Sequence, residues 1–336
     1  MTTMQTPAVY LTVDEMLAEA TDRVPVRSSD GKSGSTFERL RIDGEYYFLK
    51  SLSYDEDWIM RVTGDVDHRP LLSWRAGIYH QTPDCIDHTL VAMAIDGSGT
   101  SARLSMLMRD VGEHLIPEGD DEVAAEVHAS FIDHMAAMHA HFWNWRDTVG
   151  LSPLGHRFRF FAPDNIAGEL RRSDVSPVIL VADQGWKILA ERAPSLAGIA
   201  ASIHADPQPL ARALSATPST FVAGDWKMGN LGRHPDGRTI LLDWSYPGEA
   251  PGGWDLAWYL ALNRARIPQS KEDTIAAYRA ALERRGVSTE GWFDRQIALS
   301  LLGIGACFGW EKAHGDDDEL HWWEDRAEHA MRLLNG

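Results

Sequence analysis

Apolar residues recur along this chain at two different periods, and the change from one to the other divides it. From Phe37 to Ile42 and from Tyr46 to Leu52 they alternate with polar ones around Asp43-Gly44, a pattern that predicts a β-hairpin. His88 to Ile95, the turn Asp96-Gly97-Ser98-Gly99, and Ser101 to Met108 predict a second hairpin, so the two make a small antiparallel sheet. Ahead of them Thr12-Val13-Asp14-Glu15 has the capping-box spacing and opens a short helix through Met16, Leu17 and Ala20. A less regular helical region, Asp55 to Tyr79, separates the hairpins. Beyond Arg109 the period becomes helical. Val123, Val127, Phe131, Met135, Met138 and Phe142 return every three or four positions, which predicts an amphipathic helix over Asp121 to Phe142. Leu256 to Leu262, Thr274 to Leu282, Arg295 to Phe308 and Leu320 to Leu334 are further predicted helices. In the last, Leu320, Trp323, Ala327, Ala330, Met331 and Leu334 form one stripe. The reading is an α+β chain: a sheet-rich part over residues 1–105, a connecting hinge over 106–113, and a mainly helical part over 114–336.

Composition narrows the function classes. A chain of 336 residues with 44% hydrophobic content is long enough for two cores. Its 32 Lys and Arg against 49 Asp and Glu give a net charge of −17, which argues against nucleic acid and anionic membranes as partners and suits a cationic small molecule. Two cysteines, Cys85 and Cys307, make no disulfide framework and have no metal-ligand spacing. The first ten residues lack the basic start and apolar core of a secretory signal, and the longest apolar stretch, Ile297 to Trp310, spans 14 residues, too few to cross a bilayer. A cytoplasmic protein is expected.

The chemistry is concentrated in Phe221-Val222-Ala223-Gly224-Asp225-Trp226-Lys227-Met228-Gly229-Asn230, followed thirteen positions later by Asp243 at the end of an apolar run. An acid, a lysine two positions on, an amide five positions on and a second acid after a short hairpin suit phosphoryl transfer. That reaction passes through a loose transition state, so the protein has mainly to position groups and supply positive charge. Asp225 would accept the proton of an attacking hydroxyl while Lys227 faces the moving phosphoryl group. Asn230 and Asp243 would offer oxygen ligands to magnesium, a hard cation that keeps several waters and bridges nucleotide phosphates. Leu231 to Arg238 and Thr239 to Asp243 read as two short strands around a Pro235-Asp236-Gly237 turn, which would bring those two ligands side by side.

Other residues join this set. Lys50 shares a strand face with Phe48 and Tyr46, a place for a charge that meets phosphate. The polar loop Ser28 to Ser35, with Lys32, Ser33, Gly34 and Ser35, would approach phosphates through backbone amides. The histidines at 128, 134, 139 and 141 show no pair four apart and read as helix-lining groups rather than metal ligands. Near the C-terminus Trp310, Glu311, Asp316, Asp317, Asp318, Glu319, Trp322, Trp323 and Glu324 mix indoles with carboxylates. Such a mixture would suit an amino sugar or another ammonium-bearing substrate, or equally a solvated acidic loop beside packed tryptophans.

Taken together, these residues resemble the aminoglycoside phosphotransferase and choline kinase-like superfamily of small-molecule kinases, from about residue 25 onward. The resemblance implies a bilobal protein-kinase-like fold and an ATP- and Mg2+-dependent transfer to a small hydroxyl compound; the negative charge and the tryptophan–carboxylate cluster favour an amino sugar or aminoglycoside. An amino alcohol or neutral sugar acceptor, or a catalytically silent nucleotide-binding scaffold, are the alternatives. By resemblance Asp225 is the catalytic base, Asn230 and Asp243 are magnesium ligands, Lys50 is the nucleotide-phosphate lysine, and Met106 to Met108 are the hinge whose backbone meets adenine. Asp255, in Gly252-Gly253-Trp254-Asp255-Leu256-Ala257, is similar to the family's structural acid that supports the catalytic loop. Two departures stand out. Ala223 replaces the family's histidine before Gly-Asp, and no glutamate lies between Asp57 and Glu113 to pair with Lys50, leaving Asp65 or Glu56 as substitutes. Only twelve positions separate Asp243 from Asp255 and no Ala-Pro-Glu follows, so the long activation segment of protein kinases is missing.

Overall fold

A computed structural model describes residues 8–26 and 33–336, so Lys32 and the start of the polar loop lie outside the described residues. Among these, eleven strands run in chain order: β1 (Val9–Tyr10), β2 (Thr21–Val26), β3 (Thr36–Ile42), β4 (Glu45–Ser53), β5 (Ile86–Asp87), β6 (Leu90–Asp96), β7 (Arg103–Arg109), β8 (Thr220–Val222), β9 (Leu231–Arg233), β10 (Thr239–Leu241) and β11 (Gly248–Ala250). The chain forms two units. One runs to Ile116 and takes in Gly229–Leu242; the other comprises Pro117–Met228 and Asp243–Gly336.

The first unit is built on a six-stranded sheet in the order β1-β6-β7-β4-β3-β2. Both expected hairpins are present, β3 with β4 across Asp43-Gly44 and β6 with β7. Strand alternation separates two faces. Leu40, Leu49, Ala92, Ala94 and Leu107 point one way and are covered by Met16 and Leu17, which the Thr12-capped helix Val13–Met16 delivers. The register Lys50↔Met106, Phe48↔Met108 and Met93↔Met106 puts the lysine on the opposite face, among methionines and Phe48. β2 escapes the sequence pattern because it is an almost fully exposed edge strand without alternating burial, where Pro25 costs no interior ladder bond. The irregular region after β4 holds two short helices, Trp58–Thr63 and Arg69–Arg75. A second, three-stranded sheet, β5-β10-β9, adds the hairpin from later in the chain.

The second unit is helical, with only the β8–β11 pair as sheet. Its axis is the helix Phe293–Lys312, buried on almost every side, which is why its sequence is apolar all round rather than striped. The helices Gly253–Leu262, Pro177–Arg192, Pro194–Ala205 and Asp317–Asn335 pack on it. The segment between residues 143 and 220, for which the periodicity predicts nothing, also carries the helices Pro163–Glu169 and Gln208–Ser215. No helix among the described residues is long and apolar enough to cross a membrane.

Candidate active site

Strand β8 is fully buried and delivers the chain to Ala223-Gly224-Asp225. Gly224 turns at φ +84°, and a Cβ there would lie 2.0 Å from the Tyr246 carbonyl oxygen, so only glycine fits the turn that turns out Asp225. One helix then fixes the loop. Asp255, fully buried in the first turn of Gly253–Leu262, accepts the Ala223 N–H at 3.0 Å and the Gly224 N–H at 2.9 Å. One turn on, Trp258 donates its Nε1–H to Asp225 Oδ1 at 2.7 Å. At the helix end Asn263 accepts the Met228 N–H at 2.8 Å and donates to the Tyr259 carbonyl, so its amide cannot rotate freely. Lys227 Nζ stands 3.5 Å from Asp225 Oδ2, with both side chains partly exposed to solvent. A carboxylate that is held by its neighbours but open to water can take a proton from a reacting hydroxyl.

The support continues one layer deeper, through a residue the sequence reading placed only as helix-lining. His139, on the helix Ala125–His141, has its Nε2 3.3 Å from Asp255 Oδ2 and shares a 2.7 Å hydrogen bond between Nδ1 and the Tyr278 hydroxyl. Burial, and then the charge of Asp255, push the Tyr278 hydroxyl well above its ordinary pKa, which keeps it a donor. His139 bridges Tyr278 and Asp255 through its two ring nitrogens. A histidine from another helix thus buttresses the loop whose own position 223 is alanine. His128 is similarly occupied, 2.9 Å from the Tyr259 hydroxyl, and burial lowers its pKa to about 4. Among the described residues no group of three or more His, Cys, Asp or Glu is arranged to hold a metal by itself.

Asn230 and Asp243 flank the β9–β10 hairpin. The Leu242 N–H donates to the Asn230 carbonyl at 2.8 Å, so the residue before Asp243 is tied to Asn230 by main chain. Asp243 adopts φ +53°, an uncommon conformation for a side-chain-bearing residue, and accepts a hydrogen bond from the Ser245 hydroxyl. One amide and one carboxylate are a hard, all-oxygen donor set, which fits magnesium and not a soft or nitrogen-seeking metal.

In the first unit Lys50 is buried, as are Met106 and Met108 on its face of the sheet. Met106 and Met108 lie within β7, and the strand runs on to Arg109. Both acids expected as substitutes beside Lys50 have arginine partners. Glu56 pairs with Arg103 at 2.5 Å. Asp65 accepts the Arg69 N–H at 2.8 Å, and burial pushes its carboxyl up to about 6 despite the Arg69 charge. The charge of Lys50 acts instead on Asp57, beside Ser33 and Ser35.

The C-terminal indoles and carboxylates have partners inside the fold. Trp310 packs on Phe161 with ring centroids 4.9 Å apart, and Trp323 is buried and donates to Glu319 at 2.7 Å. Glu311 pairs with Lys312 at 2.7 Å and Asp317 with Arg192 at 2.5 Å. The Trp322 indole donates to Glu272, and Glu324 accepts the Leu196 N–H. Trp310 and Trp323 are buried in the fold, while Glu311, Asp317, Trp322 and Glu324 make polar contacts nearer the surface. Glu319, one of the acids of this same stretch, is buried and shared by Lys271 and Trp323.

No protein-family model and no curated protein matches the sequence. Solved structures do. The chain is similar to a microcompartment-associated aminopropanol kinase, with TM-score 0.53 and 12% identity over 96% of this chain and 95% of that one. It is similar to LicA in complex with AMP, with TM-score 0.52 and 12% identity over 96% of each chain. The choline kinase LicA from Streptococcus pneumoniae gives 0.48 and 11% over 96% and 97%. At such identities the likeness is one of fold, and it agrees with the expected protein-kinase-like architecture.

Proposed function

We propose that this protein is an ATP- and magnesium-dependent phosphotransferase that transfers the γ-phosphoryl group to a hydroxyl of a small molecule. The observation that carries the reading is the Asp225 carboxylate, set on an obligatory glycine turn and held by Trp258, on a loop whose backbone Asp255 and Asn263 of the same helical segment fasten. That much support for one partly exposed acid is what a positioned general base requires. In the reaction the acceptor oxygen bonds to the γ-phosphorus, the bond from that phosphorus to the β–γ bridging oxygen breaks, and ADP leaves. Asp225 receives the hydroxyl proton, and Trp258 keeps the carboxylate turned toward it. Lys227 faces the charge that develops on the transferring group, while Lys50 and the Ser33-Gly34-Ser35 turn, with Lys32, hold nucleotide phosphates. The β7 residues Met106 and Met108 meet the base. Asn230 and Asp243 would hold magnesium, which when bound neutralises phosphate charge. The net charge of −17 favours a cationic acceptor, an amino sugar, aminoglycoside or amino alcohol, and the fold likeness to an aminopropanol kinase points the same way.

Two variants separate the roles. Asp225→Ala is expected to lower turnover by roughly 10² to 10⁴ while leaving ATP affinity nearly unchanged. Asp243→Ala is expected to raise the magnesium concentration needed for half-maximal rate and nearly to abolish turnover. Steady-state kinetics over a magnesium series checks both, and unchanged magnesium dependence in Asp243→Ala removes the metal assignment.

A further inference from the structure

We propose that Arg157 is a positioning residue that sets Asp225 and Asp243 against each other: one buried guanidinium fastens the two arms of chain that carry them. The inference rests on the reading of Asp225 as the base and of Asp243 as a metal ligand. Strand β8 leads into Gly224 and Asp225, and the segment from Asp243 through Tyr246 leads into β11. The two strands pair antiparallel, with Val222 opposite Gly248 where the arms part. Arg157 closes the helical turn Leu154–Arg157 and is fully buried. Its Nη1 donates to the Tyr246 carbonyl at 2.9 Å, the same oxygen that leaves no room for a Cβ on Gly224. A Cβ on Gly224 would also lie 2.8 Å from that Nη1, and one on Gly248 2.7 Å from Nη2. Both arms are therefore glycine where they meet the guanidinium. Just before the helical turn, the Ser152 N–H donates to the Pro247 carbonyl at 3.2 Å, so one segment grips two successive carbonyls downstream of Asp243.

The guanidinium also reaches the helix that supports the loop. It lies 4.7 Å from the centroid of the Tyr246 ring and 5.9 Å from that of Trp254, and Trp254 precedes the Asp255 that holds Ala223 and Gly224. The Arg157 main chain is itself fixed, because its carbonyl accepts the Cys307 thiol of the helix Phe293–Lys312 at 3.0 Å. Burying a guanidinium is costly, and an apolar side chain would fill the same volume with less desolvation. What an apolar side chain lacks is a rigid planar fork with donors on several sides, which holds a carbonyl of one arm while pressing on the backbone of both. A misplacement of about 1 Å at a reacting group can lower the rate by about a hundredfold, so a clamp common to the two arms matters to both acids.

Two reporters on the full chain test this without an acceptor. The indole N–H resonance of Trp258, identified by its absence in Trp258→Phe, reads the 2.7 Å bond to Asp225. Calorimetry of a non-hydrolysable ATP analogue over a magnesium series reads the Asp243 arm. In Arg157→Met the Trp258 resonance is expected to move upfield as its bond lengthens, and the magnesium concentration for half-maximal nucleotide binding to rise by about tenfold. Arg157→Lys keeps the charge but not the fork, and the same two changes are expected at smaller size. A folded variant in which both reporters move, its folding checked by thermal unfolding, supports the assignment. If no folded variant moves both, or if neither variant folds, Arg157 serves the fold alone and the assignment falls. The underlying metal reading fails separately, by an unchanged magnesium requirement for Asp243→Ala in the same titration.

Discussion

Gly224 shows how much a single position decides. Its backbone is left-handed, and the Tyr246 carbonyl occupies the space a methyl group would need. Gly224→Ala is therefore expected to destabilise the protein by about 3 kcal/mol, read from urea unfolding, because conformational strain and collision add. A loss under about 1 kcal/mol would mean that the loop has a second arrangement available. The residues proposed to carry the chemistry are legible in the sequence by functional group and spacing: Asp225, Lys227, Asn230 and Asp243. Of the residues that hold their loop, Asp255 was legible through its motif, but His139 was not. His139 lies 116 positions from Asp255, and nothing local to either signals the contact.

At the scale of elements, the hairpins and the long striped helices were readable because alternate burial imposes a period. The helices between residues 143 and 220 were hidden for identifiable reasons. Pro177–Arg192 has a continuous apolar start and carries Gly185, whose Cβ would lie 2.5 Å from the Trp310 carbonyl oxygen, so close packing of helices replaces the stripe. A signal was nonetheless present: Pro163, Pro177 and Pro194 each open a helix at its first position, where the missing N–H costs nothing. Pairing between elements also has a pH signature. Asp133 on Ala125–His141 takes a two-pronged contact from Arg285, at 2.9 and 2.6 Å, and a third bond from Arg284 at the end of Lys271–Arg284. Hydrogen bonding from Arg285, then Arg284, together with their charges, holds its carboxyl at about 2 against an ordinary 3.8. A carboxylate depressed in the folded state stabilises the fold above its unfolded pKa and loses that contribution as pH falls toward the folded one. Between pH 3.8 and about 2 the wild type should therefore lose more stability than Asp133→Asn, measured by thermal unfolding across that range. Parallel losses in the two proteins would show that the pair contributes nothing, as many partly exposed ion pairs do.

At the scale of the molecule, the sequence predicted a sheet-rich part followed by a helical one, and the fold has that character. What linear reading missed is that the chain returns: Gly229–Leu242 belongs with the first unit, although its flanking residues Met228 and Asp243 belong with the second. The segments carrying Asp225 and Asp243 are therefore joined through a hairpin that packs elsewhere, an arrangement fixed by the pairing of β10 with β5 and invisible to local periodicity. The net charge of −17 also belongs to this scale and is the basis for proposing a cationic acceptor. The most direct measurement is mass spectrometry of acceptors incubated with ATP, magnesium and either the wild type or Asp225→Asn, over a panel of aminoglycosides, amino sugars, amino alcohols and neutral sugars. The account predicts an added phosphoryl group on a hydroxyl-bearing acceptor, strongest among the cationic compounds, with its rate cut by about a hundredfold or more in Asp225→Asn. Nucleotide binding without a phosphorylated product from any acceptor, or equal product from both proteins, would contradict it.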